Sequence, residues 1–284
     1  MISLLRPWHW TKNLFVFAAL IFSRQFTAPD NILKAAVVFA AFCLLSSGIY
    51  ALNDVIDKDR DRVHPWKRRR PVASGRISCT AAVVAGVLLL SAGILVGRYA
   101  VLPAQVCLAG YVVLQICYIF ILRNIVIVDV LAVSAGFVLR AAAGAYAIGV
   151  VISPWLIACT ALLALLIILG KRKHEFGLGR NPSRYRAVLG LYTGQFLDQM
   201  ISITAGATVI AYLLYSFSER TIMEFPSGLI PLTVPFVFYC IVRFLYLLQR
   251  GDDGVEPELM IFRDYPLLTG VLLWLATAIF TVSI

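Results

Sequence analysis

Apolar runs of about 18 or more residues recur along the whole chain, and each is long enough to cross a bilayer as a helix. Nine blocks are readable, at 14–28, 32–52, 79–97, 103–122, 124–149, 153–170, 194–217, 229–249 and 265–283, of which the first is short. Unpaired backbone groups are costly in hydrocarbon, so segments of this length must close their own hydrogen bonds as helices. Composition agrees: 61% of the 284 residues are hydrophobic and 14% charged, against roughly half and a quarter for a soluble domain. The expected fold is therefore an all-α integral membrane protein, a single domain over 1–284 with about nine transmembrane helices. The segment "MISLLRPWHWTKN" does not read as a cleaved leader, because no small-residue cleavage site follows its charge.

The polar residues are unevenly distributed. Nine crossings place 19 of the 25 Lys and Arg on one side, and the other side keeps only Arg24, Lys34, Arg98 and Arg220. By the positive-inside rule the N-terminus is cytoplasmic and the C-terminus outside. Arg140 and Arg243 fall inside spans, where charge faces a cavity or a partner; Arg243 has Asp129 at similar depth as a candidate partner. The six cysteines and three histidines are scattered and form no metal-binding spacing, so they read as core residues. Nothing points to nucleic acid as a partner, and a homo-oligomer is compatible with the sequence.

"NDVIDKDRD", Asn53 to Asp61, ends the second apolar block with four carboxylates in eight residues. At ~100° per residue, Asp57, Asp61 and Asp54 fall ~40°, ~80° and ~100° from Asn53, while Asp59 turns away at ~240°. Three stacked carboxylates need a cation, and an all-oxygen set suits Mg²⁺, which commonly bridges carboxylates to substrate phosphates. The competing reading is a solvated helix end neutralised by Lys58, Arg60 and Arg62. "KRRR", Lys67 to Arg70, follows closely and adds phosphate-binding capacity.

The stretch "NDVIDKDRDRVHPWKRRRPVASGRIS" resembles the first aspartate-rich motif of the UbiA superfamily of intramembrane prenyltransferases. The N-D-x-x-D-x-x-x-D pattern is complete, as is the trailing Arg70, Pro71, Gly75, Ile77 and Ser78. The resemblance implies nine helices around a central cavity open to the cytoplasmic side, with Mg²⁺ on Asp54, Asp57 and Asp61 holding a diphosphate and Asn53 beside them. Substrate loops are expected near 53–78, 171–193 and 250–264.

Most of that superfamily carries a second aspartate-rich motif after the sixth span. Here the matching place reads "GKRKHEFGLGRNPSRYR", with Lys171, Arg172 and Lys173 where acids would stand and Glu175 the one carboxylate. Lys171 and Glu175, four apart, could share a helix face, as an ordinary ion pair does. A basic wall suits a second phosphorylated group. The departure is similar to one branch, the decaprenyl-phosphate phosphoribosyltransferases of arabinogalactan-building bacteria. "LRPWHWTKN", "GKRKHEF", "SAGFVLRAAAGA" and "EPELMIFRDYPLL" match that branch as well.

That resemblance implies transfer of 5-phosphoribose from phosphoribosyl diphosphate (PRPP) to a polyprenyl phosphate lipid, with diphosphate released, at a bacterial inner membrane and for cell-wall arabinan precursors. Lys67, Arg68, Arg70, Lys171 and Arg172 would position phosphates. Lys12 could reach the lipid phosphate, Tyr118 and Arg123 would close the end of the fourth span, and Glu256, Glu258, Arg263 and Asp264 would cap the site. Trp8 and Trp10 read as interface anchors. Two alternatives stay open. One is an isoprenyl transferase using the same aspartates, against which the basic second segment argues. The other is an anion transporter, against which the cytoplasmic clustering of charge argues.

Overall fold

A computed structural model describes residues 2–64, 66–177, 186–225, 227–250, 257 and 260–283. It is all-helical, with no strand among the described residues. Among the described residues, eight helical segments are long and apolar enough to cross a membrane. The principal helices are α1 (Pro29–Ile56), the short α2 (Lys58–Val63), α3 (Cys79–Gly97), α4 (Leu102–Phe120), α5 (Val128–Ala147), α6 (Pro154–Gly177), α7 (Gly194–Ser216), α8 (Val234–Arg250) and α9 (Tyr265–Ser283).

The count of nine spans is the point of difference. The block expected at 14–28 is instead an 11-residue 3-10 helix, Pro7–Phe17, continued by a five-residue α-helix, Ala18–Phe22. Its apolar run ends at Ser23-Arg24-Gln25, too soon for an α-helical span. A 3-10 helix rises ~2.0 Å per residue, however, so the two pieces together extend about 30 Å, the thickness of the hydrocarbon core.

The chain forms two compact units, 1–152 with 183–190, and 153–182 with 191–284. In the first, α1 and α5 are the core helices, with 56% and 67% of their apolar windows buried, whereas α3 has 17% and turns most of its surface outward. Helix α3 nevertheless packs tightly on α1. A Cβ on Gly48 would lie 2.8 Å from the Gly86 carbonyl oxygen, so the two backbones touch directly, as small residues permit in lipid-embedded helices. Ser78 caps α3 by accepting from the Ala81 amide at 3.2 Å.

In the second unit, Gly170 of α6 meets Leu248 and Phe244 of α8, and Gly270 of α9 meets Cys240 and Tyr239. A buried polar knot joins its helices, with Tyr212 Oη 2.8 Å from Thr233 Oγ1 and accepting from Trp274 Nε1 at 2.9 Å. Thr193 caps α7, and Asp264 caps α9 by accepting from the Leu267 amide at 2.8 Å.

Candidate active site

The acidic segment leaves α1 without losing its helical course. Asp57 takes φ −91°, ψ 6° between α1 and α2, yet the Asp57 amide bonds to the Asn53 carbonyl at 2.9 Å and the Asp61 amide to the Asp57 carbonyl at 2.8 Å. The facing expected from helical phase follows. Asp54 and Asp61 are buried, Asp57 is partly buried and Asp59 is exposed.

Each inward carboxylate is met by an arginine. Arg70 donates from Nη1 to Asp61 Oδ2 at 2.7 Å and lies 3.3 Å from Asp54 Oδ1, so one guanidinium bridges two acids. Arg6 donates to the same Asp54 oxygen and stacks over the Tyr50 ring at 5.2 Å. Arg123 reaches both oxygens of Asp57 at 2.9 and 3.1 Å, and Asn53 donates to Asp57 Oδ2 at 3.0 Å. Arg70 is aimed back by a tight turn in which Ser74 N bonds to the Arg70 carbonyl at 2.9 Å and Gly75 adopts φ +77°. A side chain at Gly75 would meet the steric cost of that left-handed region. Burial pushes the Asp61 carboxyl above its ordinary value, while Arg70 and Lys67 pull it down less strongly.

A second cluster lies beside the first. Arg186 donates to Tyr118 Oη at 2.6 Å and stands 3.9 Å from Asp129 Oδ2, which is fully buried. Between Arg123 and Asp129 the chain makes a γ-turn at Ile127, with φ 68°, ψ −44° and a 2.8 Å bond from Val128 N to the Val126 carbonyl. A β-branched residue in that conformation is strained, and such strain gathers at functional sites.

In the second unit, Arg172 and Glu175 are buried on α6 and pair at 3.0 Å. Glu175 thus has Arg172, three residues earlier on the same helix, as an ion-pair partner. Lys171 is half-buried on the same turn, and Lys173 pairs with Asp198 of α7. Arg243 pairs not with Asp129 but with Asp264, at 2.7 and 3.1 Å, which holds the Asp264 carboxyl below its ordinary value.

Lys12, expected to reach the lipid phosphate, is half-buried on the 3-10 helix, and Arg6 is an N-terminal cation seated on the acids. Arg68 is exposed. Glu256 and Glu258 lie outside the described residues. Arg6 and Arg186 had no assigned role from the sequence, although Arg186 stands in the basic run and Arg6 directly precedes Pro7 at the membrane edge.

The fit of Mg²⁺ depends on these pairs. Among the described residues no three His, Cys, Asp or Glu side chains are grouped to hold a metal ion. Asp54 and Asp61 nevertheless face one shared guanidinium, and Asp54 Oδ2 is buried with no hydrogen-bond partner. Magnesium commonly takes only one or two carboxylates, completing its shell with waters and phosphate oxygens. The Asp54–Asp61 pair fits that requirement, and Asp57, engaged by Arg123, stands beside it.

Comparison with known proteins places this arrangement. A model of the UbiA prenyltransferase family matches residues 13–171. The chain is 31% identical to a protein of Mycolicibacterium smegmatis named decaprenyl-phosphate phosphoribosyltransferase, over 98% of this chain and 90% of that one. It is 33% identical to a Corynebacterium glutamicum protein of the same name, over 100% and 87%. A solved structure of a UbiA homolog from Archaeoglobus fulgidus bound to GPP and Mg²⁺ shares the fold, with a TM-score of 0.76 and 17% identity over 100% of this chain and 99% of that one.

Proposed function

The chain belongs to the UbiA prenyltransferase family and is a transferase, and from that premise we propose that it moves 5-phosphoribose from PRPP to a decaprenyl or similar polyprenyl phosphate. The observation that carries this reading is the state of Glu175. The one carboxylate of the basic "KRKHE" turn is buried against Arg172, so this turn is built to meet an anion rather than to complete a metal site. Near-full-length similarity to the two phosphoribosyltransferases supports the same choice over isoprenyl transfer.

In the proposed reaction the bond from ribose C1 to the donor diphosphate breaks, and a bond from C1 to an acceptor phosphate oxygen forms. Diphosphate leaves with the bonding pair. Asp54 and Asp61 would hold Mg²⁺, which supplies charge neutralisation for the leaving group. Arg6 and Arg70 stand at these carboxylates and Arg123 at Asp57 beside them, and all three would turn to diphosphate oxygens, since guanidinium forks match phosphate geometry. The acceptor is a phosphate monoester with a second pKa of about 6 and is already anionic at neutral pH. No general base is needed, and orientation supplies much of the rate. Attack opposite the leaving group inverts C1.

The proposal places the protein in a bacterial inner membrane with the site and N-terminus cytoplasmic and the C-terminus outside, the 3-10 segment counting as the first crossing. The deciding experiment supplies purified protein and Mg²⁺ with labelled PRPP and decaprenyl phosphate, or with a labelled isoprenyl diphosphate and aromatic acceptors. Lipid product from PRPP, abolished by a chelator and by Asp54→Asn, is expected. Product only from the isoprenyl donor would overturn the reading.

A further inference from the structure

Arg140 lies on α5 eleven residues beyond Asp129, about 16 Å along the helix and so near the middle of the hydrocarbon. It is 3% exposed. A charge at that depth is expensive and persists only where its surroundings use it. Its Nε donates to Asn13 Oδ1 at 2.6 Å, Nη1 to the Gly136 carbonyl at 2.7 Å and Nη2 to Tyr111 Oη at 3.0 Å. The rings of Phe42, Tyr111 and Phe137 stand 4.5–5.5 Å from its guanidinium carbon. None of these partners is a carboxylate, and Asn13 is the partner that ties Arg140 to the N-terminal segment.

Asn13 is fully buried on the 3-10 helix and also donates to Cys43 Sγ at 3.2 Å and Ser46 Oγ at 3.5 Å. One turn further, the Val16 carbonyl lies flat on Gly144, where an added Cβ would sit 1.9 Å from the oxygen. Toward the N-terminus, Trp10 Nε1 donates to Ser47 Oγ at 3.1 Å, and Ser47 Oγ donates to the Leu5 carbonyl at 2.7 Å. Next comes Arg6, held at φ 48°, ψ 61°, a conformation costly for a residue with a side chain. Its guanidinium rests on Tyr50 and Asp54. The receiving residues, Cys43, Ser46, Ser47, Tyr50 and Asp54, recur every three or four positions and form one stripe of α1.

We propose that Arg140 is a positioning residue for the active site: by gripping Asn13 it fixes the depth of the N-terminal 3-10 helix and so delivers Arg6 to Asp54. The assignment rests on the reading of Asp54 as part of the reacting site. A lysine cannot replace it, because the three bonds leave from three separate nitrogens of a planar fork, whereas a lysine's donors share one nitrogen. Gly144 is the steric half of the same device.

Two measurements on the full-length protein test this. The first attaches spin labels through unnatural amino acids at Trp8 and Asp59, both exposed, and needs no substrate. A narrow distance distribution is expected in the parent, with broadening or displacement in Arg140→Met and independently in Gly144→Ala. Asn13→Leu substitutes if Arg140→Met does not fold. The second is a double-mutant cycle on kcat/KM. Arg6→Met and Arg140→Met are each expected to lose about tenfold or more, and the double variant no more than the worse single. Arg140→Lys should restore melting temperature without restoring kcat/KM.

Unchanged distances, or losses that multiply, would overturn the proposal, since Arg140 would then be a structural residue only. Displaced distances alongside an Arg6→Met enzyme of full turnover would instead overturn the site reading, and with it any service of Arg140 to the reaction.

Discussion

In the first unit the acidic segment is neutralised from afar, Asp54 by Arg6 from 48 positions away and Asp57 by Arg123 from 66, whereas in the second unit Arg172 finds Glu175 one turn along its own helix. The difference is one of purpose. A local pair forms as soon as α6 forms and can be buried as a neutral unit. A carboxylate paired from a distant segment is neutral only in the assembled fold, and its cation remains available to exchange onto a phosphate. The first arrangement suits a site that must bind and release charge, and the second suits a fixed basic turn.

The comparison breaks first at Asp54. Asp54→Asn should cost about 10²–10³ in kcat, the scale for removing one electrostatic contact to a developing charge, with little change in melting temperature. An activity within a factor of two of the parent would remove the acidic segment from the chemistry. The second unit should answer in stability instead. Glu175→Gln removes a charge partner of a buried guanidinium and should destabilise by about 3–5 kcal/mol, while Arg172→Met with Glu175→Leu recovers most of it; thermal unfolding of the three proteins in detergent measures this.

A subtler contrast lies in pH. Burial raises the Asp61 carboxyl above its ordinary value of 3.8, so the folded state favours its protonated form. That stabilisation is complete below the ordinary value and is lost as pH rises through the raised one. Asp61→Asn should therefore gain in melting temperature relative to the parent across that rise. Arg70→Met, which removes the nearest cation, should shift the transition to higher pH still. A melting difference flat with pH would show that Asp61 is ionised throughout. The smallest effect is expected at the exposed Lys173–Asp198 pair, where Asp198→Asn should change stability by about 1 kcal/mol or less.

Much of the acidic site is legible in the sequence because helical phase carries it. Asn53, Asp54, Asp57 and Asp61 continue α1, and a 100° step suffices to bury three acids and expose Asp59. Legibility fails where a backbone departs from that phase. The 3-10 helix at Pro7–Phe17 has no periodic signature distinct from a short α-helix, so the sequence places the first block at 14–28 rather than over 7–22 and gives Arg6 no role at the acids. Ion pairs between segments fail for another reason. Arg243 could equally meet Asp129 or Asp264 on charge alone, and only packing distinguishes them.

Sequence alone determined the class of molecule, a helical membrane protein, because the length of an apolar run is tied to bilayer thickness and cannot be disguised. It also pointed to the transferase family, through the resemblance that "NDVIDKDRD" and the segments matching it carry. Tertiary structure decided which cation meets which acid, because Arg6 and Arg123 reach Asp54 and Asp57 from 48 and 66 positions away, across close approaches such as Val16 on Gly144. Those approaches are matters of ångströms between residues far apart in the chain, and no local pattern encodes them.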